Sequence, residues 1–154
     1  MMTVSTVCTR LVVTAQPEDT VQAVAKCMAQ YEVGSLIIVE ANTPVGIITD
    51  RDLVVRVMAQ DHTSPERAVR TVMTSNPVCV PEHMPIEEAI ALMRGYQIRR
   101  LVVVNDAKKL VGILALDDLL LRLGEEQHAL AGLMRVARSR RAECSGTPTG
   151  RRQP

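Results

Sequence analysis

A chain of 154 residues, 47% of them apolar, is long enough for one compact core and too apolar to stay disordered. Its formal charge of +1 excludes a general attraction to nucleic acid or to anionic membrane surfaces. Tyr31 and Tyr96 are the only aromatics, so base-stacking platforms are excluded and the core must be Val, Leu, Ile, Ala and Met.

The first predicted element is a short strand over 11–14. A helix over 20–31 follows, because Val21, Val24, Ala25 and Met28 stand at i, i+3, i+4 and i+7 on one face. An apolar strand over 36–39, a turn at EANTP and a second strand over 45–49 come next. A helix then starts near Asp50 and runs to about Met58. Residues 61–76 read as a connector, polar at first and helical across 65–73.

The same order then returns. A strand over 78–80 leads into a helix over 85–95, whose face is Ile86, Ala89, Ile90 and Met93. Pro85 suits its first turn, and Glu87 and Glu88 suit the positive end of its dipole. A strand over 101–104, a turn at NDAKK, a strand over 110–115 and a helix to about 123 complete the copy. Each feature recurs 65 or 66 positions after its counterpart: SLIIV (35–39) matches RLVVV (100–104), and GIITDRD (46–52) matches GILALDD (112–118).

Each unit is thus β-α-β-β-α, and one unit cannot cover its own sheet. The expected fold is α/β (α+β), two repeats packed with pseudo-twofold symmetry. The expected boundaries are 7–60, connector 61–76, 77–124, and 125–154 as a basic helix and disordered tail. Continuous apolar strands imply sheets buried on both faces. In the tail, Leu130, Leu133, Met134 and Ala137 form one helical face, beside Arg135, Arg138, Arg140 and Arg141.

No run of about 18 apolar residues exists, so no membrane span is expected, and the opening lacks the pattern of a signal peptide. Cys8, Cys27, Cys79 and Cys144 stand in no ligand spacing and read as free thiols of a reducing cytoplasm. His62, His83 and His128 are scattered, and no metal site is expected. No nucleophile–base pair or phosphate-binding glycine loop stands out, so an enzyme is not expected.

Two β-α-β-β-α copies, each closing on Gly-h-h-(Thr or Ala)-x-x-Asp with h apolar, resemble a tandem pair of CBS domains, named after cystathionine β-synthase. The resemblance covers about residues 7–123. TDRDLVVRVMA and QIRRLVVV are especially similar to small bacterial stand-alone CBS-pair proteins, including the hypoxic-response type. It implies a regulatory module that binds an adenosine-containing ligand (AMP, ADP, ATP, S-adenosylmethionine or NAD) between the repeats. It also implies a disc-like homodimer, with helices 20–31 and 85–95 as candidate surfaces, and an unidentified protein partner. No cofactor is implied beyond the regulatory nucleotide.

On that resemblance, Asp52 would accept two hydrogen bonds from ribose hydroxyls, each contributing about 1.5–3 kcal/mol. Thr49 would add a hydroxyl, and Gly46 would permit a close approach or an unusual backbone angle. The helix start near Asp50 would offer N–H groups to phosphate. Adenine would lie between Ile47 and Ile98. Arg99 and Arg100 of repeat 2, with Arg51, would reach the phosphates. They favour a phosphorylated adenosine over cationic S-adenosylmethionine.

Asp118, with Gly34 and Ser35, would form a weaker second site, because Ala115 replaces the hydroxyl and Gly34-Ser35 replace the arginines. Against all this, an Asp after Thr before an apolar run is often only a helix cap. The alternative function is a ligand-free scaffold, or a nucleic-acid binder using the basic tail, although nucleic acid is not the expected partner.

Overall fold

The computed structural model describes residues 2–61 and 64–125. Helix α1 (Val4–Val7) opens the chain, followed by β1 (Thr14–Ala15), α2 (Val21–Tyr31), β2 (Ser35–Glu40) and β3 (Thr43–Thr49). Helix α3 (Asp50–Leu53) runs directly into a π-helical turn, Val54–Met58. After a 3-10 turn at Val69–Thr71 come β4 (Thr74–Ser75), β5 (Cys79–Pro81), α4 (Ile86–Tyr96), β6 (Arg100–Val104), β7 (Leu110–Ala115) and α5 (Leu116–Glu125). The expected α/β repeat order is present. The basic helix and tail expected beyond Glu125 lie outside the described residues.

Local chemistry sets the helix ends. Thr20 caps α2, its hydroxyl accepting from the Ala23 amide at 3.0 Å, while Val21, Val24 and Met28 turn inward. Ile86, Ala89 and Met93 do the same for α4. Both helices stop on a left-handed residue, Glu32 and Gln97, each at φ 53°. Pro85 is the residue before α4 and not part of its first turn. There its missing N–H costs nothing, since no helical acceptor faces it.

Four strands form one sheet in the order β1-β2-β3-β4, and three form another, β5-β6-β7. In each, the first pairing is parallel and the second antiparallel. Leu36, Ile37 and Ile38 are all fully buried, although successive side chains point to opposite faces. Leu36 and Ile38 join the core beneath α2, with Val21, Val24, Met28 and Ile48. Ile37 faces the other way and packs with Val102 and Val104 of the second sheet, flanked by Val39, Ile47, Leu110 and Ile113. Two apolar faces per strand explain the uninterrupted apolar runs. Each such side chain contributes about 1.5–3 kcal/mol.

Each sheet is finished by a segment from outside its own repeat. β4 pairs with β3 at Gly46 and Ile47. Thr9 pairs with Ile113 of β7, through N–H to carbonyl bonds of 2.9 and 3.0 Å in the two directions. Val4 and Ser5 donate to the Met84 and Glu82 carbonyls, while Val21 and Gln22 donate to those of Arg67 and Pro65.

This crossing explains the recurrent glycine. A Cβ on Gly46 would collide with the Met73 sulfur, and one on Gly112 would lie 3.0 Å from both Cys8 Sγ and the Thr9 carbonyl oxygen. Neither glycine has a positive φ. The close approach anticipated at Gly46 is therefore that of Met73, and no unusual backbone angle is involved.

Three predicted elements differ. The connector is not helical over 65–73; it makes only the 3-10 turn, because its amides bond across to repeat 1, as Val69 does to the Asp19 carbonyl. The first strand is Thr14–Ala15, not 11–14, and Leu11 is 93% exposed. The last helix of repeat 1 keeps only one α-helical turn before the π geometry takes over.

Candidate nucleotide site

β3 delivers Thr49 and Asp52 to the start of α3. Thr49 is the cap residue, its Oγ1 accepting from the Asp52 amide at 3.1 Å, and Asp52 Oδ2 accepts from the Thr49 amide at 2.9 Å. This reciprocal capping box is the structural role that the sequence also admitted. It leaves each carboxylate oxygen a second lone pair, since an ionised carboxylate has about four acceptor positions. The Asp52 side chain is 18% exposed, so it remains reachable.

The expected open helix start does not exist. The Asp50 amide donates to the Gly34 carbonyl at 3.0 Å, the Arg51 amide to Asp50 Oδ1 at 2.8 Å, and the Asp52 amide to Thr49. The chain itself consumes the amides that a phosphate would have needed. Any anion here must rely on guanidinium groups instead.

Arg100 supplies one. It opens β6, opposite Ala115, as Ser35 opens β2 opposite Thr49. Its Nη2 lies 3.7 Å from the point where a Cβ on Gly34 would stand, and Asp50 Oδ2 lies 3.4 Å from that same point. A guanidinium from the second repeat thus reaches Gly34 and Asp50, where β3 passes into the helix that carries Asp52. Gly34 leaves the room for it. Arg51 and Arg99 are exposed, and Arg100 is half-buried. Ile47 sits in the cluster between the two sheets, and Ile98 is half-buried just before β6.

Gly34 and Ser35, expected in the second cleft, border the group around Asp50, Thr49 and Arg100. Asp117 and Asp118 occupy the first turn of α5, which belongs to a second compact unit.

Sequence reading missed Arg56. Its Nη1 donates to the Val72 carbonyl at 2.8 Å and to Thr74 Oγ1 at 3.2 Å, while Nη2 lies 3.6 Å from Asp52 Oδ1. The i, i+4 spacing of Asp52 and Arg56 was the available signal. Desolvation pushes the Cys8 thiol above its ordinary value, against the lowering effect of Arg10, and likewise raises Cys79 against Lys108. Neither is a poised nucleophile. Among the described residues no three His, Cys, Asp or Glu side chains gather as a metal site, and no helix is long and apolar enough to cross a membrane. A cavity of about 240 Å³ opens between α2 and the π-helical turn, lined by Val21, Ala25, Leu53, Val57 and Met58 among others, and none of the predicted nucleotide ligands lines it.

Comparison with known proteins agrees with this architecture. A protein of Methanopyrus kandleri, MK0525, is 39% identical over 77% of this chain, which spans 61% of that protein's length. The CBS domain-containing protein YhcV of Bacillus subtilis is 36% identical over 89% of this chain and 96% of its own. The CBS domain protein PAE2072 of Pyrobaculum aerophilum, solved in complex with AMP, superimposes with TM-score 0.70 at 29% identity, covering 77% of this chain and 90% of that one. The CBS domain pair of MJ0100, solved with 5-methylthioadenosine and S-adenosyl-L-methionine, gives TM-score 0.73 at 25% identity over 82% of this chain and 99% of that one. The CBS domain pattern matches residues 4–59 and 69–125, and the chain belongs to the CBS domain family as a tandem pair.

Proposed function

We propose that this chain is a regulatory module that binds an adenosine nucleotide between its repeats. Asp52 holds the ribose, Thr49 lies beside it, and Arg100, with Arg99 and Arg51, meets the phosphate. Adenine lies against Ile47 and Ile98. Asp118 marks a weaker second site, while Gly34 and Ser35 border the main one. The observation that carries this reading is the arrival of Arg100 from the second repeat beside Gly34 and Asp50, at the start of the helix bearing Asp52. A ligand joining a carboxylate on one repeat to a guanidinium on the other senses their relative position. It shifts that position only by its differential affinity for the two arrangements.

Family members solved with AMP and with S-adenosyl-L-methionine support an adenosine ligand. The arginines here favour a phosphate-bearing one. The output passes through a protein partner or a second copy. Val54, Val55 and Met58, exposed on the π-helical turn, offer an apolar face for self-association. The module acts in the cytoplasm and performs no catalysis of its own.

Calorimetry with AMP, ADP, ATP, NAD and S-adenosylmethionine tests the reading on wild type and Asp52→Ala. AMP, ADP or ATP is expected to bind best, with affinity falling at least tenfold in the variant. Equal affinity in the two proteins refutes the ribose role of Asp52.

A further inference from the structure

Arg56 joins two parts of the molecule that have no sequence continuity. One guanidinium nitrogen lies 3.6 Å from Asp52 Oδ1, in the capping box. The other donates to the Val72 carbonyl and the Thr74 hydroxyl, in the connector that crosses to complete the first sheet. Arg56 stands within the π-helical turn Val54–Met58, four residues after Asp52. We propose that Arg56 is a positioning residue that couples the carboxylate of Asp52 to the connector. Whatever engages Asp52 is then felt at β4, the strand that leads into the second repeat.

The chemistry is that of a shared cation. Asp52 restrains the guanidinium as an ion-pair partner 3.6 Å from Nη2, while Nη1 directs two hydrogen bonds onto Val72 and Thr74. Without the carboxylate, Arg56 is a long, 43% exposed side chain that loses orientation. Ribose hydroxyls on the free lone pairs of Asp52 would order the same carboxylate further and tighten the far end. That second half rests on the nucleotide reading above; the first half does not.

Amide hydrogen exchange on the full chain separates the two. The reporters are the Met73 amide, bonded to the Val69 carbonyl, and the Asn76 amide, bonded to that of Val45. In ligand-free protein, Arg56→Gln and Asp52→Asn should each speed exchange at both amides by roughly fivefold, the factor that matches one hydrogen bond of about 1 kcal/mol. The double variant should go no faster than Arg56→Gln alone. Should Arg56→Gln not fold, Arg56→Lys, which keeps the charge and loses the fork, takes its place. Unchanged exchange in Asp52→Asn, or additive effects in the double variant, overturns the coupling.

With AMP added, exchange at these amides should slow in wild type and not in Arg56→Gln. Equal slowing in both proteins overturns transmission through Arg56. Failure of AMP, ADP and ATP alike to bind wild type overturns the nucleotide reading and transmission with it, while the ligand-free comparison still decides the coupling.

Discussion

At the scale of single residues, one motif carries two duties. Thr49 and Asp52 are ligands in the proposed function and a capping box in the fold. Thr49→Ala should therefore cost about 0.5–2 kcal/mol in urea unfolding with no nucleotide present. An unchanged midpoint would mean that the cap contributes nothing. The glycines give a cleaner contrast. Gly46→Ala and Gly112→Ala place a methyl against Met73 and against Cys8 and Thr9, and each should destabilise by about 1–3 kcal/mol. Gly95→Ala, in α4 with nothing near its Cβ position, should stabilise by about 0.5–1 kcal/mol. The recurrent Gly46 and Gly112 were legible as a repeat. Their reason was not, because the atoms that exclude a side chain arrive from Met73 and Cys8, which no local spacing announces.

Among the elements, the helix faces and the apolar strands were readable because periodicity follows burial directly. α2 and α4 begin and end within a residue or two of their predicted limits. The connector and the end of repeat 1 were not readable. An apolar spacing such as Val69, Val72 and Met73 does not say whether amides bond within a helix or across to another segment. The π turn likewise leaves no mark in a pattern that fits an α-helix equally well. The β2–β3 hairpin holds a testable strain. Its two-residue turn puts Ala41 at φ 47° and Asn42 at φ 60°, the left-handed pair of a type I′ turn. Asn tolerates this and Ala does not. Ala41→Gly should raise stability by about 0.5–1 kcal/mol in thermal or urea unfolding, and a loss of stability would contradict the strained turn.

For the molecule as a whole, the repeats are interleaved as well as packed. Residues 4–9 finish the second sheet, and residues 65–75 finish the first. Lys109 binds the turn of the other hairpin, its Nζ donating to the Ala41 carbonyl at 2.8 Å and to Thr43 Oγ1 at 3.1 Å, beside the Leu110 amide on the Asn42 carbonyl. Ile37→Ala, in the cluster shared by both sheets, should cost about 2–5 kcal/mol and lower a single unfolding transition. Two separate transitions would contradict the interleaving. Self-association through Val54, Val55 and Met58 predicts that Met58→Glu yields monomers in sedimentation; an unchanged assembly places the interface elsewhere. The duplication and its pairing were legible in the 65-residue offset, while the exchange of edge segments was not. The central claim is that one ligand spans the two repeats at Asp52 and Arg100. A crystal structure with AMP tests it most directly. The ribose hydroxyls should lie on the Asp52 carboxylate and the phosphate against Arg100; AMP found only beside Asp118, or with its phosphate away from the arginines, would contradict it.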